Sequence, residues 1–217
     1  MTLTPKHYQF KQLVLEKNEV MNLTSIKDPD EFEIKHFYDS LYPARFMDFE
    51  PGLSVVDIGT GGGFPGIPLA ISYPSLHFTL VDSTLKKLMF LDESVKKLGL
   101  KNVTFVHGRL EDMGRKLEYR EKYDRVLARG LAPLNTLLEY VSPLLKIHGK
   151  GYLYKGPNVD QEIKASKKAF EELKLELVND QEYEVQGVMH HLLTVVKIGT
   201  LHSKYPRENG TPKKKPL

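Results

Sequence analysis

The chain has 217 residues, 41% hydrophobic and 27% charged, with a formal net charge of +3, the profile of an ordinary folding domain that can bury a full core. It contains no cysteine, which excludes disulfides, thiolate chemistry and cysteine-ligated zinc. The start, MTLTPKHYQFKQ, lacks the apolar run of a signal peptide, and no segment reaches the about 20 apolar residues of a membrane span, so a cytoplasmic protein without membrane contact is expected.

Thr4 and Pro5 read as a helix start, and Tyr8, Leu13, Val14 and Met21 predict a loosely amphipathic first helix. A second helix is expected through DEFEIKHFYDSLYPARF, with Phe32, Phe37, Leu41 and Tyr38 inward, so that residues 1–50 form a helical extension packed on the core. From residue 53 the pattern alternates. LSVVDIG is a short strand, FPGIPLAISYP a short helix, LHFTLVD a strand, and STLKKLMFLDESVKKLGL a helix with Leu85, Leu88, Met89, Val95 and Leu98 on one face. NVTFVHG and YDRVLARG read as strands, LAPLNTLLEYVSPLLK as a helix and GYLYKG as a strand. EIKASKKAFEELK is one long helix before the strands LELVNDQEYEV and HHLLTVVKI, joined near Gly187. This alternation predicts an α/β fold with a mostly parallel sheet and an antiparallel pair at its end. The last 19 residues, GTLHSKYPRENGTPKKKPL, hold Lys204, Arg207, Lys213, Lys214 and Lys215 against Glu208 alone, which leaves the rest of the chain at −1. A basic tail over 199–217 is expected, as an arm that touches phosphates or as a solvated end.

The glycine-rich stretch VVDIGTGGGFPG sits directly behind the first strand, where open α/β sheets bind ligands and where glycines permit sharp turns and close approach. Gly61, Gly63 and Gly66 satisfy the dinucleotide pattern GxGxxG, whereas Asp57, Gly59 and Gly61 form D-x-G-x-G, which suits the cationic amino acid end of S-adenosylmethionine. Asp82, at the end of the next strand, could accept from both ribose hydroxyls of either ligand. Glu111 or Asp112, after the third strand, fits the adenine edge of a methyl donor. A nicotinamide-dependent oxidoreductase and a nonenzymatic RNA-binding protein that kept the fold stay open as alternatives.

DIGTGGGFPGIPLAISYP followed by LVDSTLKKLMFL closely resembles the bacterial small-subunit ribosomal RNA guanine-N(7) methyltransferases, the RsmG family, also known as glucose-inhibited division protein B. NLTSI, HFYDSL, RLED, ARGLAPL and KYPRENGTPKKKPL extend the likeness over nearly the whole chain. The resemblance implies a class I S-adenosylmethionine-dependent, Rossmann-like methyltransferase domain over 51–198. It would methylate the N(7) atom of a guanine in 16S ribosomal RNA, naked or in the 30S particle; a monomer is expected, though no residue pattern sets the oligomeric state. Asp57, Gly59, Gly61, Gly63, Phe64, Asp82, Leu110, Glu111 and Arg129 would hold the donor, with Arg129 also facing substrate. Lys87, Arg129, Tyr154 and the tail's Lys204, Arg207, Lys213, Lys214 and Lys215 would meet RNA. Lys87, Leu110 and Gly130 depart from the family's usual arginine, small residue and alanine.

Guanine N(7) has a free lone pair and no proton to lose, so such a transfer needs alignment more than a general base. No nucleophile, acid–base dyad or metal is expected. Ser83, His107, His190 and His191 are not catalytic candidates; adjacent histidines in a strand face opposite ways and cannot share a metal. Lys86, Lys96 and Lys97 read as a wet helix face. His36 and Asp39, one helical turn apart, could meet in a local hydrogen bond or face a substrate pocket.

Overall fold

The computed structural model describes residues 2–217 as a seven-stranded sheet flanked by helices. Helix α1 (Pro5–Met21) starts where Thr4 donates its N–H to His7 Nδ1 (3.1 Å). Its buried face is His7, Phe10, Val14 and Asn18, one residue per turn; Tyr8 is exposed and Leu13 and Met21 are only half-buried, so the expected face is displaced. Asp28 caps α2 (Pro29–Phe32), accepting from Asp30 and Glu31. The helix continues as a π-helical turn, Glu33–Tyr38, and then α3 (Asp39–Leu41). The wider turn lets Phe32 and Phe37, five residues apart, share the inward face, both fully buried.

Strands β1 (Ser54–Ile58), β2 (His77–Asp82), β3 (Val103–His107), β4 (Tyr123–Arg129) and β5 (Leu145–Lys155) are parallel, and β6 (Leu175–Val185) and β7 (Val188–Lys197) form an antiparallel hairpin turned by Gln186 and Gly187. Both turn residues have positive φ, +51° and +76°, as primed hairpin turns require. The order is β3-β2-β1-β4-β5-β7-β6. The direction of winding reverses between β1 and β4, and a crevice opens there at the strands' carboxyl ends.

Helices α4 (Gly66–Ser72), α5 (Leu85–Leu98), α6 (Leu110–Met113), α7 (Leu134–Val141), α8 (Val159–Ala165) and α9 (Lys167–Glu172) cover the sheet, and α10 (Thr211–Lys214) closes the chain. Leu88, Leu91, Val95 and Leu98 form the buried stripe of α5, while Leu85 and Met89 are exposed, contrary to expectation. The single helix expected through EIKASKKAFEELK is split at Ser166, whose hydroxyl donates to Glu162 O. The N-terminal helices share one core with β1, β2 and α5: Phe10 packs against Phe64 (5.5 Å), and so do Phe32 (5.7 Å) and Phe37 (6.0 Å).

The C-terminal residues do not swing free as a tail. Arg120 Nη1 donates to Tyr205 O (2.7 Å), Arg115 Nε to Pro206 O (3.0 Å) and Tyr205 Oη to Glu172 (2.6 Å). Composition misleads here because Leu201, Tyr205, Pro206 and Pro212, few as they are, are all buried.

Candidate functional site

A cleft of about 1050 Å³ lies over the carboxyl ends of β1, β2, β3 and β4. Its floor is the glycine loop. Gly59 and Gly61 line it with positive φ, +68° and +57°. A side chain at Gly59 would meet Leu131 at 2.6 Å, whereas one at Gly61 would meet only Gly59 O, at 3.9 Å, and project into open space. Gly63 belongs to the core instead, where a Cβ would strike Leu91, Ile67 and Phe10 within 3.0 Å.

Asp57 does not reach the cleft, contrary to expectation. It is fully buried beneath the loop, where its Oδ2 accepts from Thr60 Oγ1 (2.6 Å) and Gly66 N (3.0 Å); its Oδ1 has no partner. Burial raises its pKa to about 6, against the lowering by Thr60 and Gly66. Its carboxylate ties the two ends of the loop together, and the close fit requires glycine at 66, where a Cβ would lie 2.6 Å from Oδ2. Asp82, at the end of β2, does line the cleft; its Oδ2 accepts from Gly61 N (3.0 Å) and its Oδ1 from Thr84 N (2.8 Å). Leu110 and Glu111, at the start of α6, form the far wall.

The opposite end is built around Arg129, at the end of β4. Its Nη1 donates to Asp39 Oδ2 (2.8 Å) and to Lys35 O (3.3 Å), and its Nη2 to His36 Nδ1 (3.2 Å). The guanidinium lies 5.5 Å from the centre of the Phe64 ring, and His36 stacks on that ring at 4.4 Å. His36 and Asp39 therefore do not bond to each other; the π-helical turn brings both to the same arginine. Burial and then the Arg129 charge push the His36 pKa down to about 3. Since neutral Nδ1 accepts from Arg129, Nε2–H donates to Thr24 Oγ1 (2.7 Å). Thr24 Oγ1 also accepts from Ile26 N (3.1 Å), which leaves its own O–H for whatever fills the cleft it lines. Burial alone would raise the Asp39 pKa, but His190, Arg129 and Tyr183 together lower it. Tyr183 Oη donates to Asp39 Oδ1 at 2.8 Å.

Lys87 and Lys213 line the cleft, as does Arg109. Other residues expected at RNA lie elsewhere. Tyr154 is 5% exposed and donates to Ser40 O (2.9 Å), so its ring is core and cannot stack on a base. Arg207 is engaged by the fully buried Glu139, and Lys204 by Glu172. Lys214 and Lys215 are exposed outside the cleft. His191 pairs with Asp180 (2.9 Å), while His190 approaches Asp39 (3.5 Å). Thr24, Tyr140, Asn209 and Gly210 line the cleft without having been singled out from sequence; NLTSI held the signal for Thr24 and KYPRENG that for Asn209 and Gly210, and only tertiary contact reveals Tyr140.

The residues fit a nucleoside carrying a sulfonium: an open glycine cradle, an acid at the end of β2 and a buried acid after β3, while the Arg129 cation at β4 is neutralised by Asp39. Among the described residues, no group of three or more histidines and acids is placed to hold a metal, and no helix is long and apolar enough to cross a membrane.

Comparison with known proteins places the family and the fold. The ribosomal RNA small subunit methyltransferase G family model matches residues 4–192. Ribosomal RNA small subunit methyltransferase G of Thermoanaerobacter pseudethanolicus is 41% identical over 215 residues, 98% of this chain and 90% of that one. Among solved structures, a SAM-dependent methyltransferase from Aquifex aeolicus superposes with TM-score 0.58 at 19% identity, covering 81% of this chain and 97% of that chain. TYW2 from M. jannaschii, solved in complex with AdoMet, gives 0.61 at 18%, covering 82% and 81%. The fold is that of the class I S-adenosylmethionine-dependent methyltransferases, and the chain belongs to the ribosomal RNA small subunit methyltransferase G family.

Proposed function

We propose that this chain methylates the N(7) atom of a guanine in small-subunit (16S) ribosomal RNA, using S-adenosylmethionine. The observation that carries the reading is the joining of two half-sites in one cleft: the glycine loop with Asp82 and Glu111 at one end, and Arg129 with His36, Phe64 and Thr24 at the other. Bound there, S-adenosylmethionine supplies a methyl group already activated on a sulfonium. Asp82 would hold the ribose, Leu110 and Glu111 the purine, and Gly59, Gly61 and Phe64 the intervening surface. Arg129 and the Thr24 hydroxyl offer donors where an acceptor such as guanine O6 would orient the base, and their pinning leaves alignment as the main source of rate. Neutral His36 is fixed in place by its stack and two hydrogen bonds, and its low pKa makes it a poor general base near neutrality.

An oxidoreductase reading is disfavoured by the sheet itself. Beyond β5 it closes with the β6–β7 hairpin and has no second βαβαβ half for a dinucleotide. The cleft is lined by residues of one chain, which supports a monomer; its substrate would be the RNA or the 30S particle, in the cytoplasm. Isothermal titration separates the cofactor classes: S-adenosylhomocysteine should bind and NAD should not, and the reverse would reject the reading.

A further inference from the structure

The sequence leads one to expect a basic arm beyond residue 199, but the structure gives this segment another position. Glu139 lies in the middle of α7 with no exposed surface, and a buried carboxylate without a partner is costly. Arg207 meets it as a fork: Nε donates to both oxygens at 3.0 Å, Nη2 donates to Oε2 at 2.6 Å, and the Arg207 backbone N–H donates to Oε1 at 2.7 Å. Further along, Thr136 Oγ1 donates to Pro212 O (3.1 Å). Glycine is required at 114, where a Cβ would come within 2.9 Å of Pro206.

Fixed in this way, the segment brings Asn209, Gly210 and Lys213 to the lining of the cleft, beside Leu110 and Glu111. Gly210 N–H donates to Glu111 Oε1 (3.0 Å), and Asn209 Nδ2 donates to both oxygens of Asp112 (3.0 Å each). The acids after β3 are thus oriented by residues about a hundred positions away.

We infer that Tyr205–Lys213 is a wall of the methyl-donor cleft at its purine end, and that Arg207, seated on Glu139, is a positioning residue for donor binding through Gly210 and Glu111. This rests on the reading of the cleft as the donor site. It assigns the segment as far as Lys213 to the donor, and Lys214 and Lys215, exposed outside the cleft, stay free to meet phosphates.

The test is titration of full-length wild type, Arg207→Met and Arg207→Lys with S-adenosylhomocysteine, alongside melting without ligand. Arg207→Met should weaken binding tenfold or more, and Arg207→Lys should recover part of it, since lysine keeps the charge but not the fork. Wild-type affinity in an Arg207→Met protein that merely melts earlier would overturn the inference. Because Arg207→Met strands Glu139 and can unfold the chain, amide hydrogen exchange on the wild type gives a second reading. Ligand should slow exchange in both 59–63 and 205–213. Protection of the glycine loop alone would overturn the inference, while protection of neither, without binding heat, would reject the donor reading beneath it.

Discussion

Asp82 and His36 carry the sharpest residue-scale consequences. Asp82 is the acid at the end of β2 that faces the cleft, so Asp82→Ala should weaken donor binding by about 1.5–3 kcal/mol, the range of hydrogen bonds to charged groups. An unchanged dissociation constant in calorimetry would remove it from the ribose. His36 couples stability to pH. Its folded pKa of about 3 lies below the ordinary 6.5, so the unfolded chain takes up a proton in that window that the folded chain refuses. Stability therefore falls as pH drops through it, by up to about 1.4 kcal/mol per pH unit. Asp57 acts in the opposite sense: with a folded pKa raised from 3.8 to about 6, its contribution is full below 3.8 and fades as pH rises through about 6. Subtracting the His36→Gln profile from wild type cancels the Asp57 part. Denaturant melts at about pH 7.5 and about pH 4.5 should show the wild type losing more than the variant; equal losses would mean His36 protonates freely in the fold. Asp82 could be read from sequence because its place is set by strand order. Asp57 could not, because D-x-G-x-G does not say whether the carboxylate faces the ligand or ties down the loop, and here it ties the loop through Thr60 and Gly66.

At the scale of elements, the glycine loop divides into two kinds of glycine. Gly61 faces the cleft with φ +57°, so Gly61→Val should abolish measurable donor binding with only modest loss of stability, about 1–2 kcal/mol from the left-handed conformation. Gly63→Ala should do the reverse. Its Cβ would press on Leu91, Ile67 and Phe10, an overpacking that costs about 1–3 kcal/mol on top of the strain at φ +95°. Parallel thermal melts and donor titrations check both; equal effects on binding would contradict the division. Strand–helix alternation was legible because parallel strands buried on both faces leave unbroken apolar runs. Helix faces were read less well. In α5 the apolar residues Leu85 and Met89 mimic the period of the buried stripe but point to solvent, and in the second helix the π-helical turn changes the period at the point where His36 and Asp39 converge on Arg129.

For the whole molecule, the chain's two ends complete a site that its middle begins. Phe10 from α1 packs on Phe64, which carries His36 and lies beneath Arg129, while the C-terminal segment meets Glu111. Phe10→Ala should cost about 3–5 kcal/mol of stability as a fully buried aromatic truncation. It should also weaken donor binding, because the cleft-lining ring loses its support; unaltered affinity in the folded variant would show that α1 is only a cover. None of these long-range seats was legible in the sequence, since Arg207 and Glu139 are ordinary charged residues until the fold buries one of them. The most direct measurement is methyl transfer itself. The protein is incubated with labelled S-adenosylmethionine and small-subunit RNA, naked and in 30S particles, and the label is mapped by nuclease digestion and by chain cleavage specific to N(7)-methylguanine. Label is expected at the N(7) of a guanine and should be lost in Arg129→Ala. Label on another base or atom, or none on either substrate with the donor bound, would contradict it.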